Sequence, residues 1–196
     1  MATRELDRAA AVRTALRALV AERGFHGASM SAVAAQAGVA TGTAYTHYAS
    51  KDELVLAAYI ETKAELARAA TSGVGTAGAP DERFRAIWLA AHRHLAANRD
   101  HALFLLQVDC SPYRAAAHEA ATAGSGDPLL EQAALPDIAA LLLPLPLEVI
   151  FELGLGPAVR LAATGAGLSG AELRAVADAC WRAISRPSAR RGSRGD

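Results

Sequence analysis

Between Thr41 and Lys51 the chain reads TGTAYTHYASK, a run in which hydrogen-bond donors outnumber bulky apolar side chains. Thr41 and Thr43 offer two hydroxyls around Gly42, which has no side chain to hold a ligand away from the backbone. At the start of a helix that combination lets main-chain amides approach a phosphate closely. Tyr45, His47 and Lys51 add a phenol, an imidazole and an ammonium within seven positions, each able to donate to a phosphate oxygen. Ser29, upstream, is placed as an N-cap. The chemistry this set suits is non-covalent capture of a polyanion. On its own the pair Tyr45 and Tyr48 also fits two core aromatics, and Lys51 also fits a solvated lysine. A cation at a helix start is mildly disfavoured by the helix dipole, however, which favours an external anion beside Lys51.

These residues need two short helices to position them. Ser29 starts one that runs to about Ala37, Gly38 ends it, and a second runs from about Thr41 to Tyr48. Val33, Ala34 and Val39 fill the wedge between them, as in a helix-turn-helix. Ser50-Lys51-Asp52-Glu53 is a capping box that starts a long helix reaching about Ala70. A first helix over about Arg4–Arg23, with Val12, Leu16, Leu19 and Val20 on one face, stops at Gly24.

The run from Ala37 to Leu54 resembles the signature of tetracycline-repressor-like (TetR) transcription regulators, AGVSxGTxYxHFxSKxxL in pattern form. The resemblance covers about Arg4 to Tyr59 with specific motifs, and beyond that rests on length and helical layout. It implies that Thr41, Thr43, Ala44 and Thr46 face bases or adjacent sugars. Ser29, Tyr45, His47 and Lys51 would hold phosphates, with Gly42 allowing the close approach and Tyr48, usually a phenylalanine, in the core. Ala40 departs from the pattern. The family commonly has serine there, so an N-cap worth about 1 kcal/mol is missing unless Thr41 replaces it. The recognition helix lacks the Arg–guanine and Asn–adenine pairings that read sequence strongly.

The chain beyond is all helix in pattern, without the alternation of strands. Gly and Pro clusters cut it at 73–80, 124–128, 144–146 and 165–170. The expected architecture is all-α, with about nine helices. A three-helix helix-turn-helix head and linking helix occupy residues 1–70, a ligand-binding and dimerisation body 80–185, and a disordered tail 186–196. Phe84, Ile87, Trp88, Ala91 and Leu95 make one apolar stripe; a helix from Asp100 to about Ala123 is kinked or broken by Pro112. Further helices are expected near 127–143, 145–164 and 171–185. Trp88, His92, Phe104, Gln107, Tyr113 and Phe151 set aromatic and polar groups into apolar helices, as a largely apolar effector pocket requires; each also reads as ordinary core. The segment 145–163 is apolar nearly all round, so it must be covered on two sides. Leu173, Val176, Cys180, Trp181 and Ile184 form a single stripe. The resemblance implies that the last two helices build a homodimer interface, with Ile150, Leu153, Val159, Leu173, Val176 and Trp181 in it.

The 196 residues balance 20 cationic against 20 acidic side chains. Their distribution is uneven: residues 1–51 carry six Lys/Arg against three acids, and residues 52–185 ten against sixteen. A basic head on an acidic body suits operator DNA as partner. Cys110 and Cys180 stand far apart and form no CxxC or Cys/His spacing, which argues against a disulfide framework or a zinc cage. No apolar stretch is long enough for a membrane span and no signal segment opens the chain, so a soluble, cytoplasmic protein is expected. The alternatives are an adaptor whose helix-turn-helix contacts protein, which the hydroxyl-rich Thr41–Thr43 start opposes, and a small enzyme. An enzyme would collect His92, His94, His101, Asp109, Cys110 and His118, but His92 and His94 leave their helix on different faces and no HExxH or GxSxG occurs. No catalytic residue, cofactor or metal is expected. The function expected is a sequence-specific regulator, a ligand-responsive repressor binding a palindromic operator as a homodimer.

Overall fold

The computed structural model describes residues 2–123 and 126–187. Among them it has twelve helices and no strand. They are α1 (Ala2–Gly27), α2 (Met30–Gln36), α3 (Thr41–His47), α4 (Lys51–Thr71), α5 (Pro80–Ala97) and α6 (Arg99–Asp109). There follow α7 (Arg114–Thr122), α8 (Pro128–Ala133), α9 (Pro136–Ala139), α10 (Leu147–Gly154), α11 (Gly156–Thr164) and α12 (Gly170–Ile184).

The expected nine helices become twelve mainly because prolines divide two of them. The predicted 127–143 helix splits into α8 and α9 before Pro136, and the predicted 145–164 helix into α10 and α11 at Leu155 before Pro157. Each pyrrolidine removes an amide donor and starts a new turn instead of continuing the old one. The Pro112 break falls as expected, between α6 and α7. Regular geometry in α1 fails at Gly24, whose φ of 66° lies in the left-handed region, and the chain coils once more before α2.

Val12, Leu16, Leu19 and Val20 of α1 are buried, and so are Ile87, Trp88, Ala91 and Leu95 of α5. One continuous apolar core joins them. In it α1 packs on α6, and α4 packs on α5, α7 and α8. The 21-residue α4 therefore begins in the head and ends inside the body. After α12 the chain stays anchored for two residues, with Ser185 bridged to Leu142 and the Arg186 amide donating to the Leu141 carbonyl at 2.8 Å. The tail expected from 186 is thus held at its first residue, and 188–196 lie outside the described residues. No helix among the described residues is long and apolar enough to cross a membrane.

Candidate nucleic-acid interface and body cavity

The two short helices of the head are set by local hydrogen bonds. Ser29 caps α2, its hydroxyl accepting from the Ala32 amide at 3.2 Å. At the other end the Val39 amide reaches the Ala34 carbonyl and the Gly38 amide the Ala35 carbonyl, the paired bonds of a Schellman turn. That turn puts Gly38 at φ 68°, where a Cβ would be strained. Ala40 stands at the N-cap of α3 and has no side-chain acceptor to offer; Thr41 supplies no cap bond in its place. The first amides of α3 are therefore left to an outside acceptor.

Thr41, Gly42, Tyr45 and Thr46 are exposed on α3 and Ser29 at the start of α2, while Thr43 and His47 are half-buried. These seven form the set open, wholly or in part, to solvent. Ala44 does not belong to it: its side chain is fully buried against α2, one helical turn from Tyr48. A base-facing role for Ala44 is corrected accordingly, and the i, i+4 spacing to Tyr48 was the signal that assigns it to the wedge. The Thr46 hydroxyl donates back to the Gly42 carbonyl at 3.0 Å, so only its lone pairs face outward.

Lys51 is turned inward more than its sequence position suggests. Its ammonium donates to the Phe25 carbonyl and lies 5.9 Å above the Phe25 ring. One donor thus ties the end of α1 to the start of α4, leaving two. Beside it Ser50 caps α4 through the Glu53 amide at 3.1 Å, while the Glu53 carboxylate accepts from Ala49 at 2.7 Å, a capping box shifted by one residue.

A partly buried network that sequence reading did not find ties α1 and the end of α3 to α4. Arg13 donates to the Tyr48 hydroxyl at 2.5 Å and to Glu61 at 2.6 Å, and Arg17 donates to the other Glu61 oxygen at 2.5 Å. Burial alone would raise the Glu61 pKa, but the hydrogen bonds from Arg13 and Arg17 outweigh it and hold the carboxyl below its ordinary value. The Arg13 pKa is raised, above all by the Glu61 hydrogen bond. The tyrosine where phenylalanine is usual is thus used through its hydroxyl.

In the body the six expected pocket residues are not brought together. Trp88 is fully buried, its indole N–H on the Gly154 carbonyl at 3.1 Å and its ring stacked on His92. Phe104 is core and meets Phe25 of the head with ring centroids 6.3 Å apart; Gln107 is exposed beside Gly24. Tyr113 belongs to the head–body junction, its ring 4.9 Å from Phe25 and its hydroxyl donating to Asp52 at 2.9 Å. Only Phe151 lines the body's apolar cavity of about 100 Å³, with Phe84, Ile87, Leu130, Ile150 and Trp181 among the other walls. The missing signal was three-dimensional: α8, α9 and α10 are short, and their inner faces are decided by what they pack on. Gln132 also faces the cavity, and its Oε1 is buried without a hydrogen-bond partner among the described residues. Gly154 lets α10 approach closely, since a Cβ there would meet Ile184 at 3.2 Å.

The expected dimer residues divide as well. Val159 is buried in the protomer, Ile150 and Trp181 face the cavity, and Leu173 and Val176 pack on the same core. Leu173, Val176 and Trp181 are half-buried, so the α12 stripe is partly covered within one chain. Leu153 remains exposed, with Leu147 and Val149 on the same helix. Nor do the histidines and acids of the enzyme alternative converge as one set: His92 stacks on Trp88, while His118 pairs with Asp109 at 3.1 Å.

Residues 12–58 match the model of the bacterial regulatory proteins of the tetR family, and residues 80–185, more than half of the chain, match the tetracyclin repressor-like C-terminal domain. The chain belongs to the TetR family. It is a DNA-binding transcriptional regulator with the all-α fold of that family. A putative TetR regulator from Vibrio parahaemolyticus is 28% identical, with a TM-score of 0.69 over 91% of this chain and 99% of that one. A TetR-family regulator from Haemophilus influenzae is 25% identical, with a TM-score of 0.74 over 92% and 98%. FadR from Bacillus subtilis, solved with stearoyl-CoA, shares the fold at 18% identity and a TM-score of 0.64, over 87% of this chain and 94% of its own. No curated protein sequence matches the chain.

Proposed function

We propose that this TetR-family regulator is a ligand-responsive repressor: a C2 homodimer that holds an inverted-repeat operator and leaves it when a small, largely apolar molecule enters the body cavity. The observation that carries the reading is that α4 touches both ends of the mechanism. At its start Lys51 and Asp52 engage Phe25 and Tyr113. Three turns on, the Lys63 ammonium lies 3.7 Å over the ring of Phe151, a wall of the cavity, where burial lowers its pKa. A ligand that displaces Phe151 acts on α4 directly, and a tilt of α4 moves α3. An effector relieves repression only by favouring the DNA-incompetent arrangement, and a coupling of about 1–3 kcal/mol corresponds to roughly 5–150-fold weaker operator binding.

The effector class follows from the walls. An apolar cavity of about 150 Å³ admits benzene, so the space here suits a compact molecule rather than an acyl chain as long as that of stearoyl-CoA in FadR. Gln132 offers one unpartnered carbonyl to a donor on that molecule. For the dimer, the outer face of α10 with Val149 and Leu153 is the uncovered side of the apolar segment. The exposed row Ala171, Ala175, Ala179 and Ala183 on α12 permits close approach of a symmetry mate. Two-fold symmetry would place the α3 helices about 34 Å apart in successive major grooves.

In this reading Ser29, Thr41, Gly42, Thr43, Tyr45, Thr46, His47 and Lys51 form the DNA contact surface. Compounds that raise the melting temperature are then titrated against an operator complex, with loss of operator affinity expected. A compound seated in the cavity that leaves operator affinity unchanged would sink the coupling. Lys51→Ala is expected to weaken all sequences alike and to lower the salt slope by about one, whereas Thr43→Ala loses discrimination at particular base pairs. A change of sequence preference in Lys51→Ala would remove it from the backbone contacts.

A further inference from the structure

Glu65 of α4, His94 of α5 and His101 of α6 lie far apart in sequence, yet one ligand atom from each lies within 4.8 Å of the other two. The His94 and His101 rings meet edge-on with centroids 6.0 Å apart, and His101 Nδ1 stands 3.6 Å from Glu65 Oε2, too far for a hydrogen bond. His94 Nε2 and His101 Nδ1 are both buried, and neither has a hydrogen-bond partner among the described residues. A single buried polar atom left so costs about 1–3 kcal/mol. Two imidazoles gathered beside one carboxylate, each with a buried nitrogen lacking a partner, are not accounted for by hydrogen bonding among the described residues. What they share is a pair of electron-donating positions beside a negative charge.

We propose that Glu65, His94 and His101 form a binding site for a late first-row divalent metal ion, with Zn²⁺ the simplest occupant and solvent completing its coordination. Two imidazoles and one carboxylate match the ligand set of an open zinc site, whereas Mg²⁺ and Ca²⁺ prefer oxygen alone. With bonds of about 2.0–2.2 Å, tetrahedral ligands stand roughly 3.4 Å apart. The set must therefore close by at most about 1.4 Å, through the torsions of its three side chains. Arg17 faces the cluster from α1 and is already paired with Glu61 at 2.5 Å; the Asp100 carboxylate faces it from α6 and favours a cation. Composition could not reveal the site, because its three ligands sit on three helices and share no motif. An ion there fastens α4 to the corner between α5 and α6.

The test uses the full chain, stripped with chelator and titrated with Zn²⁺ by calorimetry, and with Co²⁺ for its visible absorption. One ion per chain is expected, with Mg²⁺ and Ca²⁺ inert. His94→Gln, His101→Gln and Glu65→Gln should each weaken Zn²⁺ by at least the roughly 10–100-fold that loss of an outer-shell partner costs. His92→Gln, on the same helix as His94, should change nothing. Circular dichroism checks that each variant is folded. If the buried His101 variant is not, His94→Gln and Glu65→Gln decide the matter alone. Absence of Zn²⁺ binding to the wild type, binding that survives both His94→Gln and Glu65→Gln, or an equal response to Ca²⁺ overturns the proposal.

Discussion

The head and the body of this molecule are built from the same helix-forming residues but held by different means. In the head, helix ends are decided by residues within five positions of one another: Ser29 with Ala32, Gly38 with Ala35, Ser50 with Glu53. In the body most helix starts carry a proline, and faces are set by distant partners such as Trp88 with Gly154 or Arg85 with Asp178. A surface built from local signals can vary its outward residues without disturbing the fold. A body held by distant contacts can open a cavity, and its stability then depends on each large side chain.

The strongest way to break this contrast is to truncate one aromatic in each region. Trp88→Ala removes a fully buried indole and its hydrogen bond and should cost about 3–5 kcal/mol in chemical denaturation. Tyr45→Ala removes a ring that is 51% exposed and should change stability by less than about 0.5 kcal/mol while lowering operator affinity. Equal stability losses in the two variants would erase the distinction.

The same contrast explains what could be read beforehand. Caps, the Gly38 turn and the Pro112 break are written in neighbouring residues, so the head and the all-helical class were legible. Ala44 was misplaced because a family pattern gives positions and not faces, although its spacing to Tyr48 carried the answer. The cavity was legible only at Phe151. Its other walls, Leu130, Ile150 and Trp181, meet because α8, α10 and α12 are brought together from about fifty residues of sequence. The α12 stripe was legible as a stripe, but nothing in its periodicity says whether it covers its own chain or another.

The Arg13–Arg17–Glu61 network is the exception, a distant contact that holds the head. Glu61→Ala strands two guanidinium groups, one of them buried, and should cost about 2–3 kcal/mol; this is below the full cost of an orphaned buried charge because the Glu61 side chain is 24% exposed. The pH dependence has a fixed sign. Glu61 is held below its ordinary value of 4.5, so its contribution is present in full above that value and is lost as pH falls through the lower folded value. A pH series of melting temperatures should therefore show the wild type and Glu61→Gln converging in acid. Parallel curves would remove the carboxylate from the account.

The smallest expected effect is the most informative about coupling. Tyr113→Phe keeps the ring packed on Phe25 and deletes only the hydroxyl that donates to Asp52 at 2.9 Å. That bond is exposed, so stability should fall by no more than about 0.5–1.5 kcal/mol. Burial, with the Asp52 hydrogen bond second, raises the Tyr113 pKa, so the hydroxyl keeps its proton at neutral pH and the variant tests the donor alone. Because this bond links α7 to the first turn of α4, its removal lets that turn move without the body following. Operator affinity without effector should stay near the wild-type value, while the loss produced by a saturating effector should shrink, by part of the 1–3 kcal/mol typical of such coupling. The measurement is a pair of operator titrations, with and without a cavity ligand, on both proteins. An unchanged ratio would exclude the Tyr113–Asp52 contact from transmission and leave Lys63 on Phe151 as the link between cavity and α4, to be tested next by Lys63→Met, which keeps the stem over the ring and removes the charge.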